Sequence, residues 1–162
     1  LFQFCSTHQP QLETVEQVSL EKYEGTWYEI ARLPNRFEDG LKCITATYKL
    51  RDDGKITVIN KGHKTNNPEV TETVEGWAKI PNKKEPGKLK VTFFWPFFGK
   101  YWIIDLDENY QHALVGSPSR KYLWILSRTK EMKEETYGKL LKTADEKGFD
   151  TSKMIVTEQD CE

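Results

Sequence analysis

The residues with most to offer chemically are three cysteines, Cys5, Cys43 and Cys161, and three histidines, His8, His63 and His112. Thiolates and imidazoles serve as nucleophiles, general bases and metal ligands, but each role needs a particular spacing. No CxxC pair and no His/Cys cluster occurs, so the sequence offers no metal site. No Ser/His/Asp arrangement can be assembled with any specificity, which leaves no catalytic set. Paired acids such as Asp52-Asp53, which stands in the tight-turn sequence "RDDGK", need no catalytic explanation. Three cysteines allow at most one internal bridge and leave one thiol over.

A second kind of chemistry is apolar contact. Residues 93 to 102 read "FFWPFFGKYW", seven aromatics out of twenty in the chain. Pro96 and Gly99 interrupt the run and mark a turn rather than a core strand. Apolar bulk is thereby placed at a loop, where a contiguous patch signals contact with a ligand, a partner or a membrane.

The elements that position these residues are short and β-rich. Candidate strands are 26–33, 43–50, 55–61, 70–80, 88–95, 101–106, 111–117 and 121–128, separated by turn signals, as in an antiparallel sandwich or barrel. Tyr137, Leu140, Leu141 and Ala144 form one stripe of a helix that Gly148 stops, and "MIVT" is a last short strand. Alternation assigns Ile44, Ala46, Tyr48 and Leu50 to one face of the second strand, with Cys43 on the other. Leu89, Val91 and Phe93 share a face, as do Tyr122, Trp124, Leu126 and Arg128. Asn60 and His112 are assigned to the inner face. Eight such strands close into a barrel with room for side chains or one small ligand.

The chain has 162 residues, one domain's worth, preceded by a tail (1–17) that reads as an anchor or export remnant; the domain proper is 18–162. A net charge of −1 with interspersed Lys and Glu gives no footprint for nucleic acid. No apolar stretch approaches the roughly 20 residues of a membrane-spanning helix.

Three motifs carry a family resemblance. "GTWYEIAR" (25–32) resembles the signature that opens the first lipocalin strand, "DENYQHALV" (107–115) the second signature, and "YLWILSRT" (122–129) the third. With "GTWYEIARLPNRFEDGL" and "TATYKLRDDGKITVINKG", residues 18 to 158 are most similar to the bacterial lipocalin and apolipoprotein D branch. The resemblance implies an all-β, eight-stranded antiparallel up-and-down β-barrel with a C-terminal α-helix packed outside. It makes Gly25, Trp27 and Arg128 the structural signature, Arg128 crossing the Trp27 ring in a cation–π contact at the closed end. A helical turn over 19–25 plugs that end.

By the same resemblance, segments 33–42, 62–69, 95–100 and 117–120 surround an open mouth. Phe93 and Tyr101 fall inside the cup, with Trp95, Phe97 and Phe98 on its rim. Candidate ligand-binding residues are Ala46, Tyr48, Val58, Val91, Phe93, Tyr101, Ile103, Tyr122 and Trp124. Arg32, Arg36, Lys42, Lys64 and Arg120 are either solvated charges or receptors for an anionic head. Cys43 and Cys161 are paired by the resemblance in a disulfide, which requires an oxidising compartment. Cys5 is left as a free thiol or a lipidation site, although "LFQFC" departs from the bacterial lipoprotein pattern. The expected function is binding, and carriage or storage, of a fatty acid or lysophospholipid without a cofactor. The expected location is extracytoplasmic: the periplasmic face of the outer membrane if Cys5 is lipidated, secreted otherwise. The alternatives are a protein- or membrane-interaction module that uses the rim aromatics, and an enzyme isomerising lipids through a cavity thiol.

Overall fold

Alternating apolar residues build eight strands: β1 (Gly25–Arg32), β2 (Leu41–Leu50), β3 (Ile56–Lys64), β4 (Asn67–Lys79), β5 (Lys88–Phe94), β6 (Phe97–Leu106), β7 (His112–Gly116) and β8 (Leu123–Ser127). Each pairs antiparallel with its successor, and β1 pairs with both β2 and β8, closing the sheet into a barrel. A computed structural model describes residues 9–94 and 96–162, so the expectations that rest on Cys5 and Trp95 lie outside the described residues. Among the described residues two α-helices complete the fold, α1 (Leu20–Tyr23) at one end and α2 (Glu134–Glu146) outside, with a short ninth strand, β9 (Ile155–Val156), added to β1.

The two faces of the sheet serve two cores. Inward-facing Trp27, Tyr48, Val58, Ala78, Leu89, Ile103, Ala113, Val115 and Leu126 pack together with Tyr23 of α1. Outward-facing Ile104, Leu114, Leu123 and Ile125 receive Leu140 and Ala144 of α2, together with Leu12 of the N-terminal segment. The α2 stripe is the one that 3.6-residue periodicity predicts, and Gly148, at φ +90°, takes the left-handed conformation that ends the helix. Glu134 and Glu135 in its first turn complement the helix dipole. The N-terminal segment is tied down as well, since the Val15 N–H donates to the Ile103 carbonyl at 3.0 Å.

Several strands run further toward the mouth than turn signals predict. Phe97–Lys100, expected in a mouth loop, belongs to β6, with Phe97 paired to Phe94 and Gly99 to Val91. Segment 62–69, also expected as a loop, is mostly β3 and β4 joined by a tight connection at residues 65 and 66. The glycines that suggested loops act inside the sheet. A Cβ at Gly62 would lie 3.1–3.3 Å from Leu41 and Ile44, so the missing side chain lets β2 residues pack across β3. His112 is a further correction. Ala113 and Val115 face inward, so His112 faces outward, 4.0 Å from Asp107, and cannot join Asn60 inside.

Candidate functional site

The barrel interior is a floor of packed aromatics below a wall that becomes progressively open. Trp27, on the first inward position of β1, is fully buried and donates its indole N–H to the Tyr23 carbonyl at 2.9 Å. Above it three phenols meet: the Tyr101 hydroxyl lies 2.6 Å from that of Tyr23 and 2.9 Å from that of Tyr48. Burial pushes all three well above the ordinary phenol range, so they remain neutral hydrogen-bonding groups. The Arg128 guanidinium seals the floor from outside, donating to the carbonyls of Lys22, Tyr23, Thr26 and Tyr110.

The nine expected lining residues divide by depth. Val58 and Ile103 lie within the packed floor, and Tyr48 and Tyr101 form its upper surface. Ala46, Val91, Phe93 and Trp124 are half-buried on the same inner face. Tyr122 joins none of the packed clusters; it stacks on Trp124 at the rim, ring centroids 5.9 Å apart and planes 7° apart. On β4 the inward Ala78 is buried, whereas Val74, four residues nearer the mouth, is 45% exposed. Inward positions therefore go from closed to open along the barrel axis.

A polar cluster interrupts this wall, and sequence reasoning missed most of it. The β1–β8 register sets Glu29 opposite Leu126 and Arg32 opposite Trp124, both inward neighbours. The Arg32 Nη1 donates to Glu29 Oε1 at 3.0 Å and to the Thr157 hydroxyl at 3.2 Å, and its Nη2 donates to the Glu38 carbonyl at 3.1 Å. Glu38, on the segment joining β1 and β2, accepts at Oε2 from the Trp124 indole at 3.0 Å and the Asn35 amide at 2.6 Å. Desolvation, then the neighbouring Glu38 carboxylate, raises the Glu29 carboxyl well above the usual range, against weaker pulls from Thr157 and Arg32. Glu29 was legible as an inward position two residues beyond Trp27. Thr157 was not, because it arrives on the C-terminal tail.

That tail completes the wall where β1 and β2 part beyond Tyr28 and Thr45. Thr157 donates its N–H to the Ile30 carbonyl, the Cys43 N–H donates to the Glu158 carbonyl, and the Gln159 amide donates to the carbonyls of Glu29 and Ile44. The Cys43–Cys161 disulfide fixes the tail across a sequence separation of 118. Cys43 begins a bulge at φ +51°, which turns its side chain outward to the tail.

Of the five mouth cations, Arg32 alone enters the interior. Lys42 pairs with Asp160 at 2.9 Å, Lys64 with Glu72 at 3.6 Å, and Arg36 is exposed. Arg120 is spent on the carbonyls of Pro10, Pro118 and Lys147, which pins the N-terminal segment to the end of α2. Among the rim aromatics, Phe37, Phe94 and Phe97 are 75–79% exposed. Phe98 instead turns outward and packs edge-on against Trp77, centroids 5.2 Å apart.

Comparison with known proteins gives a consistent set of likenesses. A lipocalin-like domain model matches residues 18–159. The chain is 46% identical over 159 residues to the outer membrane lipoprotein Blc of Escherichia coli (strain K12), covering 96% of this chain and 88% of that protein. It is 38% identical over 154 residues to apolipoprotein D of Macaca fascicularis, covering 90% and 79%. Insecticyanin from the tobacco hornworm Manduca sexta superposes with a TM-score of 0.73 at 28% identity, over 92% of this chain and 85% of that one.

Proposed function

This chain belongs to the lipocalin family, in the branch of the bacterial lipocalins and apolipoprotein D, and we propose that it binds a fatty acid or lysophospholipid in the barrel cup. Lipocalins bind small hydrophobic ligands and are generally binding proteins rather than enzymes. The observation that carries the proposal is the gradient of exposure on the inner face. Trp27, Ile103, Ala113 and Val115 are fully buried, while Ala46, Val91, Phe93 and Trp124 are half-buried beneath an open rim. Apolar side chains lining a blind cup suit one acyl chain, and the driving force is removal of both surfaces from water. A ten-carbon chain would gross about 8 kcal/mol at about 0.8 kcal/mol per methylene, before ordering costs.

The exposed rings of Phe37, Phe94 and Phe97 gate this mouth and touch a lipid surface transiently, so that ligand passes without crossing water. The disulfide supports an extracytoplasmic location, as does the likeness to outer membrane lipoproteins. Among the described residues no helix is long and apolar enough to cross a membrane. A thiol-dependent reaction has little support, because Cys43 is bonded to Cys161 and faces the tail.

The test is native mass spectrometry of the untreated protein, followed by organic extraction. A co-purifying fatty acid or lysolipid is expected. A protein that arrives empty, and whose tryptophan emission added oleate leaves unchanged, would sink the acyl-ligand reading.

A further inference from the structure

We propose that the cup wall contains a receptor for an anionic head, built from Arg32, Trp124 and Asn35, and that Glu38 occupies this receptor while the cup is empty. The inference rests on the acyl-ligand reading and adds to it the chemistry and position of the head. Three donors converge on one carboxylate oxygen. The Trp124 indole and the Asn35 amide both donate to Glu38 Oε2, and Arg32 Nε lies 3.6 Å from the same atom.

The fit around Arg32 is incomplete in an informative way. The side chain is 7% exposed, and its Nη atoms are satisfied by Glu29, Thr157 and the Glu38 carbonyl. Its Nε is the one fully buried side-chain polar atom among the described residues with no hydrogen-bond partner. At 3.6 Å the Glu38 contact is electrostatic, too long for a hydrogen bond. A buried, unmatched donor on a guanidinium is costly, and a free oxyanion placed slightly closer would satisfy it.

The location fits exchange rather than permanent structure. Arg32 and Trp124 sit on paired strands of the inner face, so these two donors are fixed, and Asn35 is held by the Glu38 N–H that donates to its Oδ1 at 3.0 Å. Glu38 comes from the segment between β1 and β2, whose neighbour Phe37 is 75% exposed and lies against Tyr122 at the rim, ring centroids 6.3 Å apart. Turning the Glu38 side chain outward takes its carboxylate to solvent and uncovers Arg32, Trp124 and Asn35 together, while the Glu38 N–H still donates to Asn35 Oδ1 and its carbonyl still accepts from Arg32. An incoming monoanion then replaces the Glu38 carboxylate by another singly charged oxygen group, so the buried charge is unchanged. That balance is the reason the receptor selects a single negative charge: a neutral head would leave Arg32 paired only with a carboxyl that burial favours in its protonated form. The shared ligand chemistry is an anionic oxygen head on an acyl chain, either a carboxylate or a phosphodiester.

The experiment is calorimetric titration of the full chain with three probes of one chain length: oleate, oleoyl-lysophosphatidylglycerol and uncharged monoolein. Glu38→Gln keeps the shape of the side chain and removes the competing charge. Replacing one charge-assisted contact by a neutral one predicts roughly three- to tenfold tighter oleate binding, with monoolein changed less than about twofold. A gain for oleate alone assigns a carboxylate head; a gain for the lysolipid as well assigns a receptor that takes either monoanion. Glu38→Ala, which empties the receptor without adding an amide, should move affinities in the same direction and stands in if Glu38→Gln does not fold. If all three probes bind but the oleate-to-monoolein ratio is the same in both variants as in the parent protein, or falls, the head receptor is wrong and the acyl cup stands. If the parent protein binds none of the three, the acyl reading fails and this inference with it.

Discussion

The Arg128 guanidinium lies 3.8 Å from the centroid of the Trp27 ring. Around it the same side chain donates to four backbone carbonyls, so one residue caps the floor, ties α1 to β1 and holds the connection before β7. Gly25 makes this approach feasible: at φ +102° it takes a left-handed conformation, and an added Cβ would sit 3.2 Å from Arg128 Nη1. Arg128→Ala should lower the unfolding free energy by about 2–4 kcal/mol, combining a cation–π contact with charge-assisted hydrogen bonds. Arg128→Lys keeps the charge but not the planar fork and should recover less than half of the loss. Urea denaturation of the three proteins checks both; a loss below about 1 kcal/mol for alanine would contradict the floor as described.

Glu29 makes stability depend on pH in an unusual direction for a carboxyl. Its folded-state value is raised above the ordinary 4.5, so between the two values the native state holds a proton that the unfolded chain has released. Its contribution is complete below the unfolded value and is lost as pH rises through the folded one. Glu29→Gln preserves an acceptor for Arg32 and Thr157 but has nothing to titrate. The parent protein should lose stability from about pH 5 toward neutrality relative to this variant, by up to about 1.4 kcal/mol per pH unit. Parallel stability-against-pH profiles would refute the assignment.

Which parts of this molecule were legible in the sequence follows from the range of the interactions involved. Alternation along single strands placed Ala46 with Tyr48, Val91 with Phe93, and Trp124 with Leu126, because that pattern is local. It failed at His112, whose neighbours Ala113 and Val115 take the inner face, and turn signals failed at Phe97–Lys100, where Gly99 pairs within the sheet in place of turning. The polar cluster was the least legible part. Arg32 and Glu38 are six residues apart, but the cluster around them is completed by Trp124 from β8 and by Thr157, which the tail brings from 125 positions away. No local pattern encodes that meeting.

The phenol chain on the cup floor gives a third expectation. Tyr101 is its centre, bonded to both Tyr23 and Tyr48. Tyr101→Phe removes one hydroxyl but leaves two buried ones without that partner, at a cost of about 1–3 kcal/mol. Tyr48→Phe breaks only one of the two bonds and should cost less. Thermal unfolding of the two variants ranks them; an equal or reversed order would show that the three hydroxyls do not act as a chain centred on Tyr101.

The last expectation concerns the tail and couples stability to the wall of the cup. The Cys43–Cys161 bridge closes a loop across 118 positions, worth up to about 5 kcal/mol in the chain-entropy model. Reduction should therefore lower the denaturation midpoint substantially. A second consequence does not depend on chain entropy. The tail carries Thr157, which donates to Glu29 and accepts from Arg32, and Gln159, which donates to the backbone of both β1 and β2. Releasing the tail opens the gap between those strands and exposes the buried Glu29–Arg32 pair to water. Reduced protein, or Cys43→Ser with Cys161→Ser, should then show faster amide exchange at position 43 and at Thr157, whose N–H groups bond across the contact between tail and barrel, than at Trp27, on the floor. It should also lose most of the pH dependence assigned to Glu29, because a hydrated carboxyl returns toward its ordinary range. A double variant that is merely less stable, with the pH dependence intact, would mean that the rest of the barrel holds the Glu29–Arg32 pair in place and that the tail is only a covalent staple.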